Sequence, residues 1–165
     1  MQEFDVVIIG GGPAGYVAAI KGAQFGAKIA LIEKNKIGGT CLNRGCIPTK
    51  ALYASAKVLA VAKNASKFGI DLKDIGFDLA KAVARKNEVV NKLVSGVSQL
   101  LKGNNVEVFN GEAFLENRGQ IRITRGDGVT ATILSKKIII ATGSEPANIP
   151  VFNIDGKNVL TSTEM

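Results

Sequence analysis

Histidine and tryptophan are absent from the 165 residues, and only two cysteines occur. Without histidine the chain has no side chain whose ordinary pKa lies near neutrality, so it offers no ready general base, and no metal-ligand cluster is expected. Long apolar runs are missing too. The first, Val6 to Ile9, is far too short for a membrane span or the core of a secretory signal, and no basic leader precedes it; the expectation is a cytoplasmic protein with no membrane segment. Lys and Arg outnumber Asp and Glu 21 to 14, a net charge of +7, yet they are scattered from Lys21 to Lys157 without a dense run. That pattern reads as a solvated surface rather than a nucleic-acid or membrane site. No repeat is visible. What remains is a chain that is 46% hydrophobic, enough for one globular domain with a single core and too apolar for intrinsic disorder.

The punctuation divides the chain into elements. Val6-Val7-Ile8-Ile9 is a β-branched run ending at Gly10-Gly11-Gly12, as expected of a parallel strand buried on both faces. Pro13 to Phe25 reads as a helix closed by Gly26, and Lys28 to Glu33 as a second strand, giving a β-α-β unit. A Gly- and Cys-rich connection follows, then a helix over Thr49 to Lys63. A longer helix is expected from an Asp78 N-cap to a Gly103 C-cap, with Val83, Val90, Val97, Leu93 and Leu100 as its core-packing stripe. Val106 to Phe109 is a strand. Ala113 to Leu134 breaks into three short segments, an antiparallel meander, before a buried parallel strand over Lys137 to Ala141. Residues from Asn153 to Met165 carry no element signal.

Gly10, Gly12 and Gly15, with Pro13 and Ala14 between them, form a G-x-G-x-x-G at a strand-to-helix turn. The first glycine permits the tight turn, the second lets backbone approach a pyrophosphate, and the third lets the helix pack close. The pyrophosphate would face the positive end of the helix. Glu33, at the end of the second strand, is placed to accept hydrogen bonds from a ribose 2′-hydroxyl and to repel a 2′-phosphate. The motif does not distinguish FAD from NAD.

Both cysteines lie in Gly38-Gly39-Thr40-Cys41-Leu42-Asn43-Arg44-Gly45-Cys46-Ile47-Pro48-Thr49-Lys50. On a regular helix, residues at i and i+5 have Cα atoms roughly 8 to 9 Å apart, whereas a disulfide needs less than about 7 Å. A Cys41–Cys46 bridge therefore requires an irregular first turn, which Gly45 and Pro48 permit. A structural staple across so small a loop would contribute only about 2 kcal/mol, and two free buried thiols are the other bland reading. An exchanging pair fits better, because a thiolate at a helix N-terminus beside Lys50 would be stabilised by dipole and charge.

This stretch resembles the pyridine nucleotide–disulfide oxidoreductases, and the resemblance extends over essentially the whole chain. Leu42 and Ile47 make it most similar to members that oxidise dihydrolipoamide; glutathione and mercuric reductases tend to carry valine at both positions. The resemblance implies a three-layer Rossmann-like α/β fold, a parallel sheet plus an antiparallel β-meander, that binds FAD. It implies that Cys41 is the outer thiol that exchanges with the dithiol substrate, and that Cys46 faces the flavin as the charge-transfer thiolate. Lys50 would sit near the flavin, and Gly111 and Ala113 at its adenine end. Ala141-Thr142-Gly143-Ser144 would be a strand end passing close to FAD, while Lys34, Gly38, Gly39 and Thr40 would complete the cofactor-binding set. Complete members of the family continue into an NAD-binding domain and an interface domain that supplies a His-Glu pair to the partner subunit of a homodimer. Residues 1–152 are accordingly expected to form the FAD-binding domain, and 153–165 to begin the connection to an NAD-binding domain in a longer parent. The implied partner is dihydrolipoamide on the lipoyl domain of a 2-oxo acid dehydrogenase complex. Another disulfide reductase and a non-catalytic flavin-binding module remain alternatives.

Overall fold

A computed structural model describes residues 1–147 and 149–164; the last residue of the expected connection, at position 165, lies outside the described residues. Strand β1 (Gln2–Ile9) is longer than its apolar run, because Phe4 is also buried, at 1% exposure. Helix α1 (Pro13–Gln24) has Pro13 in its first turn and turns Gly15 and Ala19 inward, and it returns the chain to β2 (Ile29–Glu33) parallel to β1. Its end is formed by Gly26, whose φ of +86° a residue with a Cβ would rarely adopt.

Three expectations are corrected beyond this unit. The Gly- and Cys-rich connection is itself helical: α2 (Gly39–Arg44) runs into α3 (Cys46–Lys63), so the second helix begins at Cys46 rather than Thr49. Glycines at 38, 39 and 45 hide the helix from a propensity reading. Helix α4 (Leu79–Gly103) has the expected N-cap, with the Asp78 carboxylate accepting the Lys81 N–H at 3.1 Å. Its C-cap is Asn104, and Asn105 at φ +56° takes the left-handed position that Gly103 was expected to prepare. The buried face of α4 is Ala82, Lys86, Val90 and Leu101, whereas Leu93 and Leu100 are 41% and 56% exposed. Of the every-seventh residues, Val90 is buried and Val97 packs against the core, so only the two leucines, each three residues further on, leave the packed face.

The strands β3 (Glu107–Asn110), β4 (Glu112–Asn117), β5 (Gln120–Thr124) and β6 (Thr130–Ile140) complete one sheet in the order β3-β2-β1-β6-β5-β4. The third meander segment and the returning parallel strand are a single strand, β6, antiparallel to β5 over its first half and parallel to β1 along its length. The polar Ser135-Lys136-Lys137 does not break it. Ser135 Oγ accepts the Val7 N–H at 3.1 Å and donates to the Lys137 carbonyl, and Lys136 pairs with Asp5 at 2.8 Å. Of Ile138-Ile139-Ile140, expected to be buried, only Ile138 packs against the core. Pairing with β5 ends at Leu134, and Ile139 and Ile140 are 41% and 65% exposed.

The sheet is covered on both faces, which gives the expected three layers. On one face Ile8, Ile29 and Leu31 pack with Ala19 of α1 and Leu101 of α4. On the other, Phe4, Val7, Ala30 and Ile32 pack against Ile121 and Ile123 of β5 and Ile133 of β6, so the meander folds back over the parallel strands. Alternate residues of β2 thus face opposite layers, and all but Glu33 are buried. Among the described residues no helix is long and apolar enough to cross a membrane, and no group of three or more His, Cys, Asp or Glu is gathered for a metal.

The contact between α1 and β1 depends on Gly15, where an added Cβ would lie 1.7 Å from the Gly10 carbonyl oxygen. Gly15→Ala should lower stability by about 3 kcal/mol, the upper part of the range for forced overpacking. Gly96→Ala, in α4 with open space around the missing Cβ, should raise it by roughly 0.5–1 kcal/mol. Urea midpoints of the two variants measure the difference; equal midpoints would mean that α1 is not held against the turn.

Candidate functional site

The strand ends meet at one opening. Gly10, at φ +108°, donates its N–H to the Ile32 carbonyl at 2.8 Å, and a Cβ on it would come within 2.2 Å of the Ala141 carbonyl oxygen. Bare backbone thus lets the end of β6 cross beside the turn. Gly11 donates to Glu33 Oε2 at 2.6 Å, while Asn35 N–H donates to Oε1 at 2.7 Å. Gly12 is the N-cap of α1, so the free N–H groups of the first helical turn open toward the space beyond the strands. Gly38, at φ +102°, donates to the Gly11 carbonyl at 2.8 Å. A Cβ on Gly39 would stand 2.6 Å from the Gly12 Cα, so α2 starts in backbone contact with the glycine turn.

These elements enclose a cleft of about 1480 Å³. It is lined by Gly10, Gly12, Pro13, Ala14, Glu33, Lys34, Gly39, Thr40, Cys41, Cys46, Gly111, Ala113, Ala141, Thr142, Gly143 and Ser144, so one wall gathers most of the residues expected to bind the cofactor. Three expected residues are not in the lining. Gly15 and Gly38 are buried behind it, where they set backbone geometry, and Lys50 is exposed on α3. The lining also contains residues the sequence reading did not propose: Asn43 and Arg44 from α2, Asn87, Val90 and Asn91 from α4, and Thr163. The available signal was Asn87 and Asn91, weak helix formers four residues apart and hence on one face.

Cys41 lies on α2 and Cys46 in the first turn of α3, with Gly45 between them at φ −132° and ψ −109°. This break supplies the irregularity that a reach between the two thiols demands. Both are free thiols here, Cys46 exposed to the cleft and Cys41 half-buried. The side chain of Cys46 hydrogen bonds to Cys41 and raises its pKa; burial and the proximity of Cys46 charge push the same way, against the Cys46 N–H and the Lys50 ammonium. The Cys41 thiol is therefore held above the ordinary cysteine range.

A glycine turn on a helix N-terminus, the Glu33 carboxylate and a hydrogen-bonded pair of thiols thus border one cleft of an α/β domain. The family model for pyridine nucleotide-disulphide oxidoreductases matches residues 4–164, and the chain belongs to that family. It is 48% identical over 162 residues to a dihydrolipoyl dehydrogenase of Chlorobaculum tepidum, covering 98% of this chain and 34% of the relative. The Bacillus subtilis dihydrolipoyl dehydrogenase is 46% identical over 170 residues, covering 98% of this chain and 36% of the relative. A solved copper(II) complex of the HOCl-induced flavoprotein disulfide reductase RclA from Escherichia coli is similar with a TM-score of 0.73 and 35% identity, over 91% of this chain and 31% of the other. The chain spans about a third of the length of the curated relatives it matches.

The thiol asymmetry has a direct test. Iodoacetamide at pH 8 should label Cys46 before Cys41, because a raised pKa leaves Cys41 with the smaller thiolate fraction. In Cys46→Ala the largest cause of that shift is gone, so the pH profile of Cys41 labelling should move down toward an ordinary thiol. Peptide mass spectrometry across pH 7 to 10 follows both; an unmoved Cys41 profile would show that burial alone raises it.

Proposed function

We propose that this chain is the FAD-binding and redox-disulfide portion of a dihydrolipoyl dehydrogenase. The observation that carries the reading is that the glycine turn, Glu33 and the Cys41–Cys46 pair open into one cleft. Its residues fit FAD. The N-terminus of α1 suits a pyrophosphate, Glu33 keeps lone pairs on both oxygens for a ribose diol, and Gly111, Ala113 and the Ala141–Ser144 segment border it with little side-chain bulk. When bound, FAD supplies two-electron acceptor chemistry that no side chain provides.

The residues of the chain account for the thiol exchange. With Cys41 and Cys46 joined as a disulfide, a substrate thiolate attacks Cys41 Sγ, the Cys41–Cys46 bond breaks, and Cys46 leaves as a thiolate. The second substrate thiolate then attacks its own mixed-disulfide sulfur. Cys41 is released, and the substrate departs as a cyclic disulfide, two electrons poorer. The substrate thiols give up two protons in becoming thiolates; Cys41, released as a thiolate with a raised pKa, takes up one of them, which leaves the charge on Cys46 at the head of an 18-residue helix. In the whole protein the electron pair goes on to NAD, and the lipoyl domain of a 2-oxo acid dehydrogenase complex presents the substrate to a cytoplasmic homodimer. A second reading, another flavin disulfide reductase of the glutathione or mercuric type, draws on the likeness to RclA; comparing dihydrolipoamide, glutathione and mercuric ion as substrates of the full-length protein separates the two.

Cofactor titration of the apo-chain should show FAD binding in preference to NAD, and Glu33→Gln should weaken it about tenfold, the loss of a charge-assisted hydrogen bond. Binding of NAD without FAD would overturn the cofactor assignment. Steady-state NADH production from dihydrolipoamide by the FAD-loaded chain should be negligible beside a full-length relative at equal flavin content. A positioned base contributes roughly 10²- to 10⁴-fold, and the chain contains no histidine to serve as one. A comparable rate would refute the division of labour proposed here.

A further inference from the structure

Helix α2 has six residues, an N-cap glycine without a side-chain cap bond, and no acidic residue in its first turn. A helix so short has almost no stability of its own, so its position rests on tertiary contacts. One is Leu42, which is buried. The other is Asn43, half-buried, whose Nδ2 donates to the Ile37 carbonyl at 3.1 Å and to the Gly39 carbonyl at 3.0 Å. These two acceptors flank Gly38, the residue that donates to the Gly11 carbonyl of the cofactor turn at 2.8 Å. A continuous set of short bonds therefore runs from the glycine turn through Gly38 to Asn43, which stands between Cys41 and Cys46 in the chain and itself borders the cleft.

We infer that Asn43 is a positioning residue for the redox pair: its carboxamide ties the helix of Cys41 to the Gly38 turn and so fixes Cys41 relative to Cys46. The inference rests on the proposed thiol–disulfide function of the two cysteines. The chemistry of the contact is specific, because both acceptors are carbonyl oxygens and a single NH₂ group satisfies them. Serine at this position supplies one donor, and alanine none. An aspartate is the same size but turns an anionic oxygen toward two carbonyl oxygens.

The test is the equilibrium of the full chain with glutathione. The thiols of Cys41 and Cys46 and one oxidised glutathione give the intramolecular disulfide and two reduced glutathiones; the glutathione S–S bond breaks, the Cys41–Cys46 bond forms, and two protons pass to the departing glutathione thiolates. Loosening α2 lowers the effective concentration of one thiol at the other, so the disulfide becomes easier to reduce. Asn43→Ala should lower the formation constant about tenfold, which for two electrons is about 30 mV toward a less negative potential. Asn43→Asp should be worse than alanine, and Asn43→Ser should fall between alanine and wild type. Asn64→Ala, which removes a carboxamide bonded to the Ala60 carbonyl at 2.8 Å far along the chain, should change nothing. Wild-type equilibria in the alanine and serine variants, or aspartate no worse than alanine, overturn the role of Asn43 while leaving the redox reading intact. A wild-type chain that forms no Cys41–Cys46 disulfide at any glutathione ratio overturns that reading, and this inference with it.

Discussion

The carbonyl oxygen of Gly10 occupies the place that a Cβ on Gly15 would need, and the Cα of Gly12 lies 2.6 Å from where a Cβ on Gly39 would stand. Backbone meets backbone on both sides of one turn. The first contact seats α1 against β1, so its N-terminal N–H groups come to the ends of the strands instead of over the sheet. The second seats α2 on the same turn, and with it Cys41. Each glycine in such a position costs about 0.5–1 kcal/mol of chain entropy relative to alanine. That cost is offset by the packing it permits, since Ile8, Ala19 and Leu31, on the face that α1 covers, are wholly buried. Cofactor cleft and dithiol are thus consequences of the same absence of side chains.

Glu33 shows how the sheet register carries this geometry into the cleft. Ile9 and Ile32 are paired across β1 and β2, so Gly10 leaves the sheet beside Glu33, the last residue of β2, which pairs with Asn110 of β3. From there Glu33 touches three connections: its carboxylate takes the N–H groups of Gly11 and Asn35, and its carbonyl accepts that of Gly111 at 2.9 Å. A residue chosen in the sequence for a ribose also joins the glycine turn, the β2–α2 connection and the β3–β4 connection. The proposed ribose contact would not compete with these bonds, because a carboxylate has about four lone-pair positions and the main chain uses two of them.

How legible the site was in the sequence follows from the range of the interactions that make it. The β1-α1-β2 unit and its glycine turn are written in neighbouring residues, and the Asp78 cap of α4 needs only three positions to be recognised. Helix α2 is held by Leu42 burial and by contacts to Gly12 and Ile37, none of which its glycine-rich composition announces. Strand β6 was divided in two because Ser135 and Lys136 look like punctuation until the Val7 N–H and the Asp5 carboxylate, far away in the chain, are brought beside them. The α4 stripe failed only in part. Val90 and Val97 lie on the packed face as read, but Leu93 and Leu100 lie to one side of it, and the residue that the core takes near the C-terminal end is Leu101. Asn87 and Asn91 share that helix, and their approach to the cleft depends on where its N-terminal half lies against α2 and α3.

The difference between the two thiols also comes from placement, since residue type is the same. A single continuous helix through positions 39 to 63 would carry Cys41 and Cys46 on diverging directions, too far apart to exchange. Gly45 ends α2 and starts α3 afresh, which brings the side chains together and makes residue 46 the first of a long helix while residue 41 lies within a short one. Negative charge is disfavoured at Cys41, which is half-buried and whose S–H is held in a hydrogen bond with the Cys46 side chain, whereas the head of α3 presents unpaired N–H groups. In the thiol exchange proposed above, this asymmetry favours Cys41 as the sulfur attacked and Cys46 as the sulfur that leaves. The helix break at Gly45 therefore does more than permit a bond between Cys41 and Cys46. It assigns the two ends of that bond different chemistry.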